Sequence, residues 1–164
     1  MSSVERPSGT AAPSGAAPSG AAAPSAAPEP ARILLIEDDL PLAQAVAKHL
    51  RARGHEARVA SSAEEAAEFV AGGFRPTIVL LDINLPGDSG WSFLRSGALD
   101  AAGSPPVYVV SATTVPPSRL REFGCAGYLP KPFAVSTLIE IVERHHSEAD
   151  GAEASASQGG LDAF

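Results

Sequence analysis

The chain has 164 residues, 45% of them hydrophobic, with 12 Lys and Arg against 19 Asp and Glu and a net charge of −7. That length makes one domain of ordinary size, and the acidic balance leaves no basic face to hold a phosphate backbone, which excludes nucleic acid as a direct partner. The one cysteine, Cys125, excludes an internal disulfide and fits a reducing cytoplasm; no stretch is apolar for long enough to insert into a membrane, and Met1–Pro7 leads into no apolar run, so no signal peptide is expected.

The chain opens on low-complexity sequence. Residues 8–30 are almost wholly Ala, Pro, Ser and Gly, with Ala-Pro-Ser-Gly units recurring at slightly irregular spacing. Such a composition cannot bury enough apolar surface to offset the entropy of ordering it. Residues 1–30 are therefore expected to be a disordered, semi-stiff spacer, with a docking segment as the alternative. Residues 147–164, small, polar and acidic, are expected to be a second disordered tail. The folded domain is placed at 31–146, which holds 11 Lys and Arg against 13 Asp and Glu.

Ile33–Ile36 is wholly apolar, as a strand buried on both faces would be. Pro41–Arg53 carries Leu42, Val46 and Leu50 at helical spacing and ends at Gly54. Glu56–Val59 reads as a weak second strand. Ser61 and Ser62, each followed three residues on by Glu64 and Glu65, mark a capping-box start to a helix ending near Gly72. Thr77–Leu81 is a buried strand, Gly90–Ala98 a short helix, and Pro106–Val110 a fourth strand. Ser118–Phe123 is a helical turn and Gly127–Leu129 a fifth strand. Val135–Arg144 is a final helix with Leu138, Ile139 and Val142 on one face. Five strands alternating with helices make a doubly wound α/β fold with a parallel sheet. Its ligand site belongs beyond the carboxyl ends of the strands.

Those ends carry the chemistry: Glu37, Asp38 and Asp39 after the first strand, Asp82 after the third, Ser111 after the fourth, Lys131 and Pro132 after the fifth. Two carboxylates about 4 Å apart repel by roughly 4 kcal/mol at an effective dielectric near 20, so a cluster of them calls for a counter-charge. A hard divalent cation with oxygen ligands supplies it, and Mg²⁺ suits best beside phosphate. Taken alone, Glu37–Asp39 reads as a solvated acidic loop; at one edge with Asp82 and Lys131 it reads as a cation site. Asp82 ends a rigid apolar strand, and its carboxylate can attack phosphorus to form an acyl phosphate. Phosphoryl transfer needs mainly positioning and charge neutralisation, to which Lys131 can bring an ammonium and Ser111 a hydroxyl.

Four blocks of sequence, Ile33-Leu-Leu-Ile-Glu-Asp-Asp39, Pro76-Thr-Ile-Val-Leu-Leu-Asp82-Ile-Asn-Leu-Pro-Gly-Asp-Ser-Gly90, Val109-Val-Ser-Ala112 and Gly124-Cys-Ala-Gly-Tyr-Leu-Pro-Lys-Pro-Phe133, resemble in order the successive blocks of response-regulator receiver domains. The resemblance covers Ala31–His146 and implies a flavodoxin-like (βα)5 sheet of order 2-1-3-4-5. It implies that Asp82 is the phosphoacceptor. Glu37 and Asp38 would hold Mg²⁺ together with Asp82 and the backbone carbonyl of Asn84. Ser111 would be the switch hydroxyl, Tyr128 the aromatic that turns inward, and Lys131 the phosphoryl-binding cation. Pro132, after a cis bond, would aim that cation inward. Asp39 is expected to face solvent or cap a helix. Asn84 and Thr113 occupy positions that help set acyl-phosphate lifetime in the family.

The sequence departs from the family between Ser111 and Lys131, which is shorter than usual and holds Pro116-Pro117, so the fourth helix must be short or start late. His145 and His146 close a helix, where cations sit well against the dipole. Trp91 is expected to pack, and to report on the site by its fluorescence. Cys125 is expected to be packed and unreactive.

Three functions compete. In the first, a stand-alone single-domain response regulator is phosphorylated on Asp82 by a histidine kinase and switches protein contacts through its α4-β5-α5 face, or relays phosphate onward as an intermediate or sink. Only 18 residues follow His146, too few for an output module. This protein would be no enzyme beyond promoting its own phosphorylation and dephosphorylation. It would work in the cytoplasm as a monomer, with a phosphorylation-dependent dimer as the alternative, and would need a downstream protein target. In the second, the fold is a scaffold that never meets phosphate, which would leave acceptor, acid pair and lysine without purpose. The third, an aspartyl-phosphate hydrolase, would need an acid where Asn84 stands.

Overall fold

A computed structural model describes residues 29–156. The proposed N-terminal spacer lies outside these residues except for its last two. In chain order the elements are β1 (Arg32–Ile36), α1 (Leu40–Ala52), β2 (Glu56–Ala60), α2 (Ala63–Ala71), β3 (Ile78–Asp82), α3 (Gly90–Arg95), a single 3-10 turn at Asp100–Ala102, β4 (Val107–Ser111), α4 (Pro117–Glu122), β5 (Gly127–Pro130) and α5 (Val135–Ala156). The five strands pair in parallel in the order β2-β1-β3-β4-β5. This is the doubly wound, flavodoxin-like arrangement the sequence predicts.

Alternation along the strands divides the apolar side chains between the two faces of the sheet. Ile33, Leu35, Ile78 and Leu80 pack with Val46 and Leu50 of α1 and Leu138, Ile139 and Val142 of α5. Leu34, Ile36, Val79 and Leu81 pack on the other face with Ala66 and Val70 of α2 and Phe93 of α3. A smaller third cluster, Ile83, Val109 and Val115, lies under Leu120, Cys125 and Tyr128.

Local signals set the helix starts. The Asp39 carboxylate accepts the Leu42 N–H at 3.1 Å, and Pro41 occupies the first turn, where its missing N–H costs nothing. Before α2, Ser62 is the residue that caps: its hydroxyl accepts the Glu65 N–H at 3.2 Å, while the Glu65 carboxylate reaches back to the N–H and hydroxyl of Ser61 at 2.7 and 2.8 Å. The box thus spans both serines. Helix α3 stops at Arg95, short of the expected Ala98, because Gly97 takes a left-handed φ of 72°. Helix α4 is short and begins at the second of the paired prolines, as the sequence requires.

The largest difference from expectation is at the end of the chain. Helix α5 continues to Ala156, so the boundary at His146 and the disordered tail over 147–164 are corrected as far as residue 156. Glu and Ala, strong helix formers, dominate Ser147–Ala156 and extend the helix without an apolar stripe. Residues 157–164 lie outside the described residues. No helix among the described residues is long and apolar enough to cross a membrane.

Candidate phosphoacceptor site

The register aligns the strand ends. Ile36 pairs with Leu81, Asp82 with Val110, and Ser111 with Pro130, so the residues that follow emerge along one edge. Glu37 and Asp82 are 2% and 4% exposed, whereas Asp38 faces solvent. One carboxylate oxygen from each of Glu37, Asp38 and Asp82 lies within 4.8 Å of the others.

Lys131 answers this charge. Its ammonium donates to Glu37 Oε2 and to Asp82 Oδ2, both at 2.6 Å. The peptide bond to Pro132 is cis, and the Lys131 N–H donates to the Ser111 carbonyl at 2.8 Å, which ties β5's end to β4's. Three carboxylates still face a single ammonium. Burial is the main influence on Glu37 and pushes its carboxyl above the usual range, only partly countered by Lys131. Burial likewise works against the Lys131 ammonium, but its hydrogen bonds and attraction to Asp82 and Glu37 outweigh that and hold it above its ordinary value. Hard oxygen donors in excess of positive charge fit a small divalent cation held by Glu37, Asp38 and Asp82.

Both oxygens of Asp82 are engaged. While Lys131 takes Oδ2, the backbone N–H of Asn84 donates to Oδ1 at 2.7 Å. The Asn84 side chain turns the other way and donates to Ser111 Oγ at 2.9 Å. Ser111 Oγ also receives the Thr113 N–H at 3.1 Å and lies 3.0 Å from the Thr113 hydroxyl. The half-buried Tyr128 donates its hydroxyl to the Thr113 carbonyl at 3.1 Å. Asp82, Asn84, Ser111, Thr113 and Tyr128 thus form one hydrogen-bonded chain.

The structure brings Glu37, Asp38, Asp82, Asn84, Ser111, Lys131 and Pro132 to one edge, with Tyr128 joined through Thr113. Asp39 caps α1 and stays outside the cluster. His145 packs edge-on against Tyr108 and His146 against His55, away from the site. Cys125 is half-buried, and burial pushes its thiol up, which leaves it a poor nucleophile. Gly90 gave no sign of its role in the sequence. A Cβ there would stand 2.7 Å from the Asp82 carbonyl oxygen and 2.8 Å from Ile83 Cα, so α3 packs directly on the backbone that carries the acceptor.

Comparisons with known proteins bear on the family and the fold. The model of the response regulator receiver domain matches residues 33–143. The transcriptional activator protein PfeR of Pseudomonas aeruginosa is 38% identical over 109 residues, which cover 65% of this chain and 35% of that protein. The sensory transduction protein RegX3 of Mycolicibacterium smegmatis is 36% identical over 135 residues, 80% of this chain and 58% of that protein. The chain spans less than two thirds of the length of either relative. Among solved structures, the receiver domain of the hybrid histidine kinase CckA is 31% identical with a TM-score of 0.59, covering 70% of this chain and 98% of that one. A CheY-like receiver domain protein of Methanospirillum hungatei shares the fold at a TM-score of 0.67 and 22% identity, covering 75% of this chain and 98% of that one.

Proposed function

The chain belongs to the response regulator receiver family of two-component signalling, and from that premise we propose that it takes a phosphoryl group on Asp82 from a histidine kinase and converts the modification into altered contacts with a downstream protein. The observation that carries this reading is the state of Asp82: buried at a strand end, with Oδ2 on Lys131, Oδ1 on the Asn84 N–H, and two further carboxylates beside it.

The chemistry follows from those groups. An Asp82 carboxylate oxygen attacks phosphorus as the bond from phosphorus to the donor's imidazole nitrogen breaks. The leaving nitrogen keeps the electron pair and takes up a proton from solvent. Lys131, already against Oδ2, lies where it can neutralise phosphoryl oxygens. Mg²⁺, held by Glu37, Asp38, Asp82 and the Asn84 carbonyl, would supply charge neutralisation to the phosphoryl group. The protein acts as a phosphoacceptor switch in the cytoplasm and not as an enzyme on other substrates.

The switch needs a second residue that senses the phosphoryl group. We assign this part to Ser111, one strand over from Asp82. Turning its hydroxyl toward the new acceptors means giving up its bonds to Asn84 and Thr113, and Thr113 carries the Tyr128 hydroxyl with it. The change then reaches the surface of α4, β5 and α5 as a shift in population between two forms.

Intact-protein mass spectrometry after incubation with acetyl phosphate tests the proposal. We expect one added phosphoryl group that requires both Mg²⁺ and Asp82. An unmodified wild type, together with Trp91 emission indifferent to beryllofluoride, would replace this reading with that of a phosphate-blind scaffold.

A further inference from the structure

Helix α4 has a weak hold on the domain. It spans six residues, none of them buried, and Pro116 at its start gives no side-chain cap. A helix this short does not sustain itself in water, so its position depends on tertiary contacts. Leu120 provides one, resting on Ile83, Val109 and Val115. A half-buried clasp to α3 adds to it. Trp91 of α3 and Phe123 at the end of α4 stack at a tilt with centroids 4.9 Å apart. The Arg119 guanidinium lies over both rings, 5.4 Å from Trp91 and 5.0 Å from Phe123. Arg95 covers Phe123 at 5.5 Å. Arg119 is also fixed by Glu122, Nη1 to Oε2 at 2.9 Å.

The clasp is connected to the switch by chain and by space. Only residues 112–116 separate Ser111 from α4. An open groove of about 580 Å³ runs from Asn84 and Thr113, past Val115 and Pro116, to Trp91, Arg119 and Glu122. Any displacement of Ser111 toward a phosphoryl group pulls on a segment whose far end is held by the clasp, and the groove leaves α4 room to move.

We propose that the Trp91–Arg119–Phe123 clasp is a brake on the switch, with Arg119 a positioning residue that holds α4 in its resting place. This deepens the phosphoacceptor reading and rests on it. Loosening the clasp raises the population of the switched form and so strengthens apparent binding of the phosphoryl mimic.

The test is a beryllofluoride titration in Mg²⁺, read by the emission of Trp91, on wild type, Arg119→Ala and Glu122→Gln, with acetyl phosphate labelling and amide hydrogen exchange alongside. Loss of a solvent-accessible cation–π contact corresponds to about a twofold to fivefold lower midpoint in Arg119→Ala. Exchange should rise at Leu120, Phe123 and Cys125, and Glu122→Gln, which removes the carboxylate that fixes Arg119, should lower the midpoint by less. Since Ala favours helix as well as Arg does, faster exchange in the variant cannot come from helix propensity. Phe123→Leu, checked for folding by circular dichroism, repeats the test from the other side of the clasp and should shift the same way. An unchanged or higher midpoint in Arg119→Ala, or a higher midpoint in Glu122→Gln, overturns the proposal. If wild type takes up neither reagent, the phosphoacceptor reading falls and the brake with it; a wild type that responds and an Arg119→Ala that responds identically overturns the brake alone.

Discussion

Gly90→Ala sets two physical effects against each other. Gly90 begins α3 and has no left-handed φ, so helix propensity and unfolded-state entropy alone predict that alanine stabilises by about 0.4–1 kcal/mol. The surroundings predict the opposite. The new Cβ would lie 2.7 Å from the Asp82 carbonyl oxygen, 2.8 Å from Ile83 Cα and 3.2 Å from Ile83 Cγ2, where carbon atoms normally keep about 3.5–4.0 Å. Two of the three neighbours are backbone and cannot swing aside, so α3 must move off β3 or the end of β3 must bend. Overpacking of this kind costs about 1–3 kcal/mol, and with both effects at the middle of their ranges, about 2 against about 0.7, the net loss is about 1.3 kcal/mol. The displaced backbone is that of the acceptor itself, so labelling by acetyl phosphate should slow along with the loss of stability. Urea unfolding monitored by circular dichroism measures the first effect, and a labelling time course by mass spectrometry the second. A Gly90→Ala protein as stable as wild type and labelled at the same rate would refute the reasoning.

Other perturbations have equally definite signs. Mg²⁺ at ten times its dissociation constant should raise unfolding free energy by about 1.4 kcal/mol through binding to the folded state alone; Glu37→Gln and Asp82→Asn should weaken the response in a thermal melt with and without EDTA, and a variant stabilised as much as wild type would remove that residue from the cation site. Ser62→Ala removes the cap of α2 and should cost about 1 kcal/mol in urea unfolding, with phosphorylation unaffected, since the Ser62 hydroxyl serves the first turn of α2 and bonds to no group around Asp82. His55 accepts the Ala31 N–H at Nδ1, 3.3 Å away, and burial, reinforced by His146, lowers its pKa below the ordinary 6.5. The unfolded chain therefore takes the proton first, and His55's contribution to stability is full above pH 6.5 and lost as pH falls from there through its folded value. His55→Gln should flatten the dependence of the melting midpoint on pH in that window, and an unchanged slope would rule His55 out as its source.

The sequence revealed most of the edge that carries the chemistry, for a physical reason. Strands buried on both faces must be apolar throughout, so Ile33–Ile36 and Ile78–Leu81 announce themselves, and the first charged residue after each marks the place where the sheet ends. Parallel pairing then requires those ends to gather. Asp39 was legible for a similar reason, as a short acid just before a helix. What escaped the sequence depends on distance in three dimensions. The contact of Gly90 with β3 and the bond from the Asn84 side chain to Ser111 join segments whose approach no periodicity encodes. Trp91 reads as a packing residue, but that Arg119 and Phe123 are its partners shows only when α3 and α4 are set side by side. The extension of α5 was missed because helix propensity carries it without an apolar stripe, and the expected boundary was drawn where that stripe stopped.

The two edges of the sheet face different demands. Every turn that leads from a helix back into a strand lies on the edge away from Asp82, and at Gly54 an added side chain would meet nothing within 4 Å. Sequence inserted there would project into solvent without touching either apolar layer or the strand ends that hold the acids. That turn is consequently the natural point at which to splice a fluorescent protein or a purification tag, or to cut the chain for a split reporter, while the chemistry at the opposite edge goes on undisturbed. A biosensor built from this domain should be opened at Gly54, where the flanking β2 lies at the margin of the sheet and only one neighbouring strand has to accommodate the graft.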